Sequence, residues 1–211
     1  MRITVLGAGG ATGIRIVNLL VVQGIRPCGA ARTAGPCARL KAAGAEPAVI
    51  DVTAPADLLE RAFTGTDVVV NAAAARNVLH AKAIDRDGVI AAIDAAQRAG
   101  VRRWIQVSMA GVDDIGQLPG ALREVGLAKR DADAHLARSA LTWTVIRPPW
   151  LTDTAGTGRV EIGSIGEGTL PRADLAAVVV DTIGQPATHH RTFVVSTGPT
   201  PIPTALATLP H

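Results

Sequence analysis

The residues of this chain that could do chemistry lie at a few separated points. Gly7, Gly9, Gly10 and Gly13, with Ala11 and Thr12 among them, follow directly on the apolar run Ile3–Leu6. Further along come Arg32, the pair Asp51-Val52, the small-residue run Ala72-Ala73-Ala74-Ala75, then Ser108 and Lys129. The glycines point to an anion. A short β-branched run, too brief for a helix, reads as a buried strand. Beyond the glycines, Ile14, Val17, Leu20 and Val21 form a helical stripe that Gly24 is placed to end. At the start of such a helix, free backbone N–H groups and about half a positive charge from the helix dipole face the turn. Glycines at 7, 10 and 13 let the chain turn tightly, let its backbone approach a pyrophosphate, and let the helix pack on the strand. Capture of a phosphorylated dinucleotide is the chemistry this arrangement serves. In a chain with 22 Gly a packing turn without a ligand is the alternative, and the position between a strand and a helix favours the dinucleotide.

The remaining candidates follow from where a dinucleotide would lie. An acid at the end of the second strand would hold the adenosine ribose and repel a 2′-phosphate, but the chain has Ala30-Ala31-Arg32 there and no acid until Glu46. Arg32 is therefore placed to grip a 2′-phosphate, which makes NADP(H) the expected cofactor; a solvated loop arginine is the plainer reading. Arg15, in the first turn of the first helix, is a second candidate for that phosphate. Asp51 and Val52 would flank the adenine, while Ala73 and Ala74 would run beneath ribose and pyrophosphate unless their run simply starts a helix. Ser108 ends a strand near the expected nicotinamide position. Lys129 shares a stripe with Leu122, Val125, Ala132 and Leu136, so its charge points inward. Such a charge is costly unless it is paired or serves a ligand. It hydrogen-bonds the nicotinamide ribose, snorkels to the surface, or pairs with Asp133 at i+4. Ser108 and Lys129 are the candidate catalytic residues, and no metal site is expected.

These side chains need a scaffold, and the pattern supplies one. Strands are expected at residues 3–6, 26–31, 46–50, 67–71, 103–108 and 142–147. Helices are expected between them, the third starting at Thr53, the fourth spanning residues 78–99, and the fifth 122–138. A further helix at 175–183 and a strand at 192–196 follow, and prolines at 199, 201, 203 and 210 suggest an extended surface tail. Strand–helix alternation demands right-handed crossovers and a parallel sheet. The expected fold is a Rossmann-type doubly wound α/β domain covering residues 1–211, with residues of about 148–170 and 185–211 forming a small substrate-side lobe and tail.

Composition agrees. With 48% hydrophobic and 18% charged residues the chain is globular, and with three Trp, two Phe and no Tyr its core must be aliphatic, which suits helices on a parallel sheet. The net charge of +3 is scattered, without the basic stripe and stacking aromatics that nucleic acid would require. Cys28 and Cys37 are too few for a disulfide framework. No apolar run is long enough to span a membrane, and glycine interrupts the N-terminus before a signal-peptide core forms. A cytoplasmic location and a small-molecule substrate are expected.

Taken together, the opening glycine turn, Arg32, residues 99–108, Lys129, residues 142–148 and the stretch Pro171-Arg172-Ala173-Asp174 resemble the atypical short-chain dehydrogenase/reductase family. The likeness is to its NmrA-like and flavin/biliverdin-reductase-like NAD(P)H-binding branch, over about residues 1–185. It implies pyrophosphate binding at residues 7–13, 2′-phosphate binding at Arg32, and ribose or nicotinamide contacts for Ser108 and Lys129. One departure matters. Many members carry a Tyr four residues before the lysine as general acid; that position is Val125, and the chain has no Tyr. Its absence argues against ordinary alcohol–ketone interconversion and against sugar epimerisation. The resemblance thus implies an NADPH-dependent reductase of a flavin, a quinone or a conjugated tetrapyrrole, with the proton supplied by water, Ser108 or His135. The alternative is a non-catalytic NADP(H) sensor that signals to a protein partner. Substrate is expected against residues 111–120 and 148–168, where Trp150 either stacks on it or plugs the lobe.

Overall fold

A computed structural model describes residues 1–165 and 168–209. The chain begins β1 (Ile3–Leu6), α1 (Ala11–Val22), β2 (Cys28–Ala31), α2 (Cys37–Ala42), β3 (Glu46–Val49), α3 (Ala56–Phe63) and β4 (Val68–Asn71). It continues through α4 (Val89–Arg98), β5 (Arg103–Val107), α5 (Gly120–Ala137), β6 (Thr142–Arg147), β7 (Trp150–Thr152), β8 (Arg159–Ile162), β9 (Thr169–Pro171) and α6 (Arg172–Ile183). β10 (Arg191–Thr197), β11 (Thr200–Pro201) and α7 (Ile202–Ala207) complete it. The main sheet runs β11-β8-β10-β6-β5-β4-β1-β2-β3. From β3 to β10 every neighbouring pair is parallel, and β8 and β11 close the far edge antiparallel. This is the expected Rossmann-like α/β architecture.

Covering both faces makes a parallel sheet stable, and the strands alternate accordingly. Ile3 and Val5 of β1, Val68 and Val70 of β4 and Ile105 of β5 face one apolar cluster with Ile16, Val17, Leu20, Leu175 and Val179 of α1 and α6. Leu6, Val69 and Trp104 face the other, with Leu59 and Phe63 of α3, Ile93 of α4 and Leu136 of α5. Each fully buried large side chain contributes roughly 1.5–3 kcal/mol. Trp104 stands edge-on to Phe63 at 6.4 Å and donates its indole N–H to Gln106 Oε1 at 3.0 Å.

Local departures from the sequence reading have physical causes. The helix expected over residues 78–99 is three pieces: a 3₁₀ turn at Val78–His80, a π-helix at Lys82–Gly88, and α4. The wider π turn carries Asp85 inward, to 1% exposure, while Val89, Ala92, Ile93 and Ala96 keep their apolar stripe. Thr53 does not start the third helix. Its N–H and hydroxyl both donate to Asp51 Oδ1, at 3.0 and 2.8 Å, and α3 begins only after Pro55. The proline-rich end is not extended surface chain over residues 202–207. Pro203 sits in the first turn of α7, where its missing N–H costs nothing, and Ile202, Ala205 and Leu206 bury against α6. Pro210 lies outside the described residues. Within the expected lobe, β8 joins the main sheet while β7 and β9 form a separate parallel pair. Among the described residues no helix is long and apolar enough to cross a membrane.

Candidate functional site

The strand order reverses on either side of β1, whose neighbours are β2 and β4, and a crevice opens at the carboxyl ends of these strands. Its cavity is about 570 Å³. Gly7, Gly9, Gly10, Ala11, Thr12, Arg32, Asp51, Val52, Ala73 and Ala74 all line it, so residues separated by up to 67 positions meet in one hollow. Gly13, Ser108 and Lys129 do not line it.

The glycines divide by what they do. Gly7 has φ +71°, and a Cβ there would lie 2.6 Å from Ala72 O and Ala73 N, so the turn packs directly on the loop after β4. A Cβ at Gly13 would overlap the Gly7 carbonyl, which places α1 tight against the turn. Gly9 and Gly10 line the crevice beside Gly7, and a Cβ at Gly9 would lie 2.8 Å from Pro36 Cγ. Gly10 is the N-cap of α1 and contributes no side-chain cap, and the first turn of α1 carries no acid. The first N–H groups of α1 therefore have neither intrahelical partners nor a side-chain cap, which fits a bound anion such as a pyrophosphate. Arg39 braces the turn from outside, donating to Gly9 O at 2.6 Å.

Charge around the crevice is predominantly positive. Arg32 is exposed at the end of β2 and has no hydrogen-bond or ion-pair partner among the described residues. Arg76 and Arg172 also line the hollow. Arg15 does not join Arg32: it donates to Ala11 O at 2.7 Å and to Asp153 Oδ1 at 3.1 Å, while Arg172 pairs with the other oxygen of Asp153 at 3.2 Å. Asp174, two residues after Arg172, is buried and accepts from the N–H groups of Thr157 and Gly158, at 2.9 and 2.8 Å. The Arg172-Ala173-Asp174 stretch thus sends one side chain to the crevice and uses the next charged one to anchor the β7–β8 connection.

The floor of the crevice, residues 72–75, is held from below. Ala72 N–H donates to Leu6 O at 3.0 Å, Ala73 N–H to Asn71 Oδ1 at 3.1 Å, and Ala75 N–H to Asp85 Oδ2 at 3.1 Å. Asn71 is fixed in turn by its amide, which donates to Gln106 Oε1 at 3.0 Å. Lys129 pairs not with Asp133 but with Asp85, Nζ to Oδ1 at 2.9 Å, and both are buried. Asp133 serves Ser108 instead: the Ser108 hydroxyl donates to its Oδ2 at 2.8 Å, and Arg147 donates to the same oxygen from Nε and Nη2 at 3.2 and 3.1 Å. Arg147 reaches on to Asp113 at 2.7 Å, tying in the loop before α5. Burial pushes the Asp133 carboxyl above its ordinary value, against the lowering pull of Ser108, Arg147 and Lys129.

His135 lies elsewhere, its Nε2 2.7 Å from Asp94 Oδ1 between α5 and α4. Trp150 is exposed and outside the crevice lining, although its neighbour Leu151 lines it. Among the described residues no three His, Cys, Asp or Glu side chains cluster as a metal site would require. Sequence reasoning missed Asp85 and the Asp133–Arg147 pairing. A signal for Asp85 exists: it stands four residues before Val89, on the apolar stripe of its helix, as Lys129 does on its own.

Comparison with known proteins agrees with this geometry. A family model described as NAD(P)H-binding matches residues 7–186. YhfK of Bacillus subtilis, described as an uncharacterized sugar epimerase, is 32% identical over 99% of this chain and 100% of its own. A solved structure from Bacillus halodurans, assigned to the NAD-dependent epimerases/dehydratases, is 31% identical, covers 99% of this chain and 100% of that one, and superposes with a TM-score of 0.92. ChuY of Escherichia coli O157:H7, an anaerobilin reductase, shares the fold at a TM-score of 0.77 and 22% identity, over 93% of this chain and 97% of its own. With the glycine turn, the uncapped helix start and the match across residues 7–186 in one place, the chain belongs to the NAD(P)H-binding family.

Proposed function

We propose that this protein is an NADP(H)-dependent reductase whose acceptor is a flavin, a quinone or another conjugated ring system. One observation carries the reading. In a chain without Tyr, the Ser108 hydroxyl and the Lys129 ammonium are each engaged by a buried carboxylate, Asp133 and Asp85. An ordinary ketone needs a positioned acid as charge develops on its oxygen, an effect worth about 10²–10⁴ in rate. A conjugated acceptor spreads that charge and takes its proton from water. The bound dinucleotide supplies the hydride. The chain's own residues position it: Gly9, Gly10, Ala11 and Thr12 at the pyrophosphate, Asp51 and Val52 beside the adenine, Ala73 and Ala74 beneath the ribose. Arg32, without a partner among the described residues and lining the crevice, supports a 2′-phosphate and hence NADP(H) over NAD(H). The epimerase description of YhfK is not carried over, because epimerising an alcohol needs an acid–base group where this chain has Val125.

The same two engaged side chains favour a second reading, a dinucleotide sensor without turnover that signals to a protein partner. Incubating the protein with NADPH and a panel of flavins and quinones, and following absorbance at 340 nm, separates them. Oxidation of NADPH whose KM rises in Arg32→Ala supports the reductase. Tight NADPH binding with no turnover against any acceptor overturns it in favour of the sensor.

A further inference from the structure

We propose that Lys129 and Asp85 form a buried strut that fixes the crevice floor, making Lys129 a positioning residue for the dinucleotide and not a group that touches it. The inference rests on the dinucleotide reading above and names how the site is held in shape. Asp85 is 1% exposed and Lys129 7%, with Nζ 2.9 Å from Oδ1. The second oxygen of Asp85 takes the N–H of Ala75, at 3.1 Å, and Ala75 lines the crevice. The charge on Lys129 is thus passed, through one carboxylate, to the backbone on which the nucleotide would lie.

The π-helix that carries Asp85 touches the crevice twice more. Ile84 lines it, and Gly88 packs so closely on Val52, itself a lining residue, that a Cβ would lie 2.8 Å from Val52 Cγ2. π-turns of this kind concentrate at functional sites. A buried ion pair is weak evidence for stability, since apolar replacements of the same shape are often neutral, whereas removing one partner strands a charge. What the pair supplies here is a fixed place for Ala75, and the crevice wall follows from it.

The strut separates from a direct contact by a variant cycle. Lys129→Met leaves Asp85 as an unpaired buried charge, and calorimetry is expected to show NADPH binding weakened about tenfold or more. Lys129→Arg is expected to hold within about threefold of wild type. The double variant Lys129→Met/Asp85→Asn has no stranded charge and keeps an amide oxygen for the Ala75 N–H, so its affinity is expected to recover to within about threefold. A double variant as weak as Lys129→Met overturns the strut and assigns Lys129 to the ligand, and an unchanged Lys129→Met also overturns it. Should Lys129→Met fail to fold, the double variant and Lys129→Arg still decide. Hydrogen exchange of the Ala75 amide in ligand-free protein tests the strut without any nucleotide: protection is expected in wild type and lost in Asp85→Ala, and an amide equally protected in both contradicts the strut. Failure of wild type to bind NADPH would instead count against the proposed function.

Discussion

Single side chains carry the tests of the proposed cofactor preference and of the proton source. The proposed preference for NADP(H) rests on Arg32, which lines the crevice. A hydrogen bond to a charged group is worth roughly 1.5–3 kcal/mol, about tenfold to a hundredfold in affinity. Arg32→Ala is therefore expected to weaken NADPH by that factor in a binding titration while changing NADH less than about threefold; equal losses for both would reject the 2′-phosphate role. Ser108 tests the missing acid. With its hydroxyl engaged by Asp133 and water as the proton source, Ser108→Ala is expected to keep kcat within about threefold, whereas a loss of 10² or more would make it the acid. Asp133 carries a pH signature. Burial raises its carboxyl pKa, so the folded chain holds that proton more tightly than the unfolded one. The stability it contributes is fully present below the ordinary carboxylate range and is lost as pH rises through the raised value. Denaturation between pH 4 and 7 should show wild type losing stability relative to Asp133→Asn as pH rises; parallel profiles would contradict this. At this scale the sequence was informative about which residues reach the crevice through their place in a turn, as Arg32, Gly7, Gly9 and Gly10 do. It was silent on pairings such as Lys129–Asp85, which join residues 44 positions apart across two helices.

The elements were legible in proportion to how regular they are. The inner strands β1, β4 and β5 announced themselves as short, largely apolar runs, because both faces of a parallel sheet are covered, whereas the edge strand β3 is Glu46-Pro47-Ala48-Val49 with exposed ends. Irregular stretches were not. An unbroken helical pattern over residues 78–99 concealed the π-helix, since one extra residue in a turn leaves the following stripe, Val89 to Ala96, intact. Prolines at 201 and 203 suggested extended chain and instead start α7, because a helix tolerates proline in its first turn. Leu206, 1% exposed, gives a direct check: Leu206→Ala is expected to cost about 2–5 kcal/mol in urea denaturation. A cost under about 0.5 kcal/mol is what an exposed tail would give.

Across the whole molecule, strand order explains why residues from four separate turns line one hollow. Reversal of the sheet about β1 splays the connections that follow β1 and β4 to opposite sides and leaves the carboxyl ends of the strands open between them. The alternation of strands and helices made that crevice foreseeable, together with Gly7, Gly9, Gly10, Arg32, Asp51, Val52, Ala73 and Ala74 that line it. The strands β7, β8 and β9 were less so, because they are short and carry little periodicity. A ligand bound only by the folded chain at a hundred times its Kd adds about 2.7 kcal/mol, or roughly 5–10 °C in Tm for a chain of this size. The most direct measurement is isothermal titration of the purified protein with NADPH and, separately, NADH. Saturable heat at one site per chain, tighter for NADPH, is the expected result, and properly folded protein that gives no heat with either dinucleotide contradicts it.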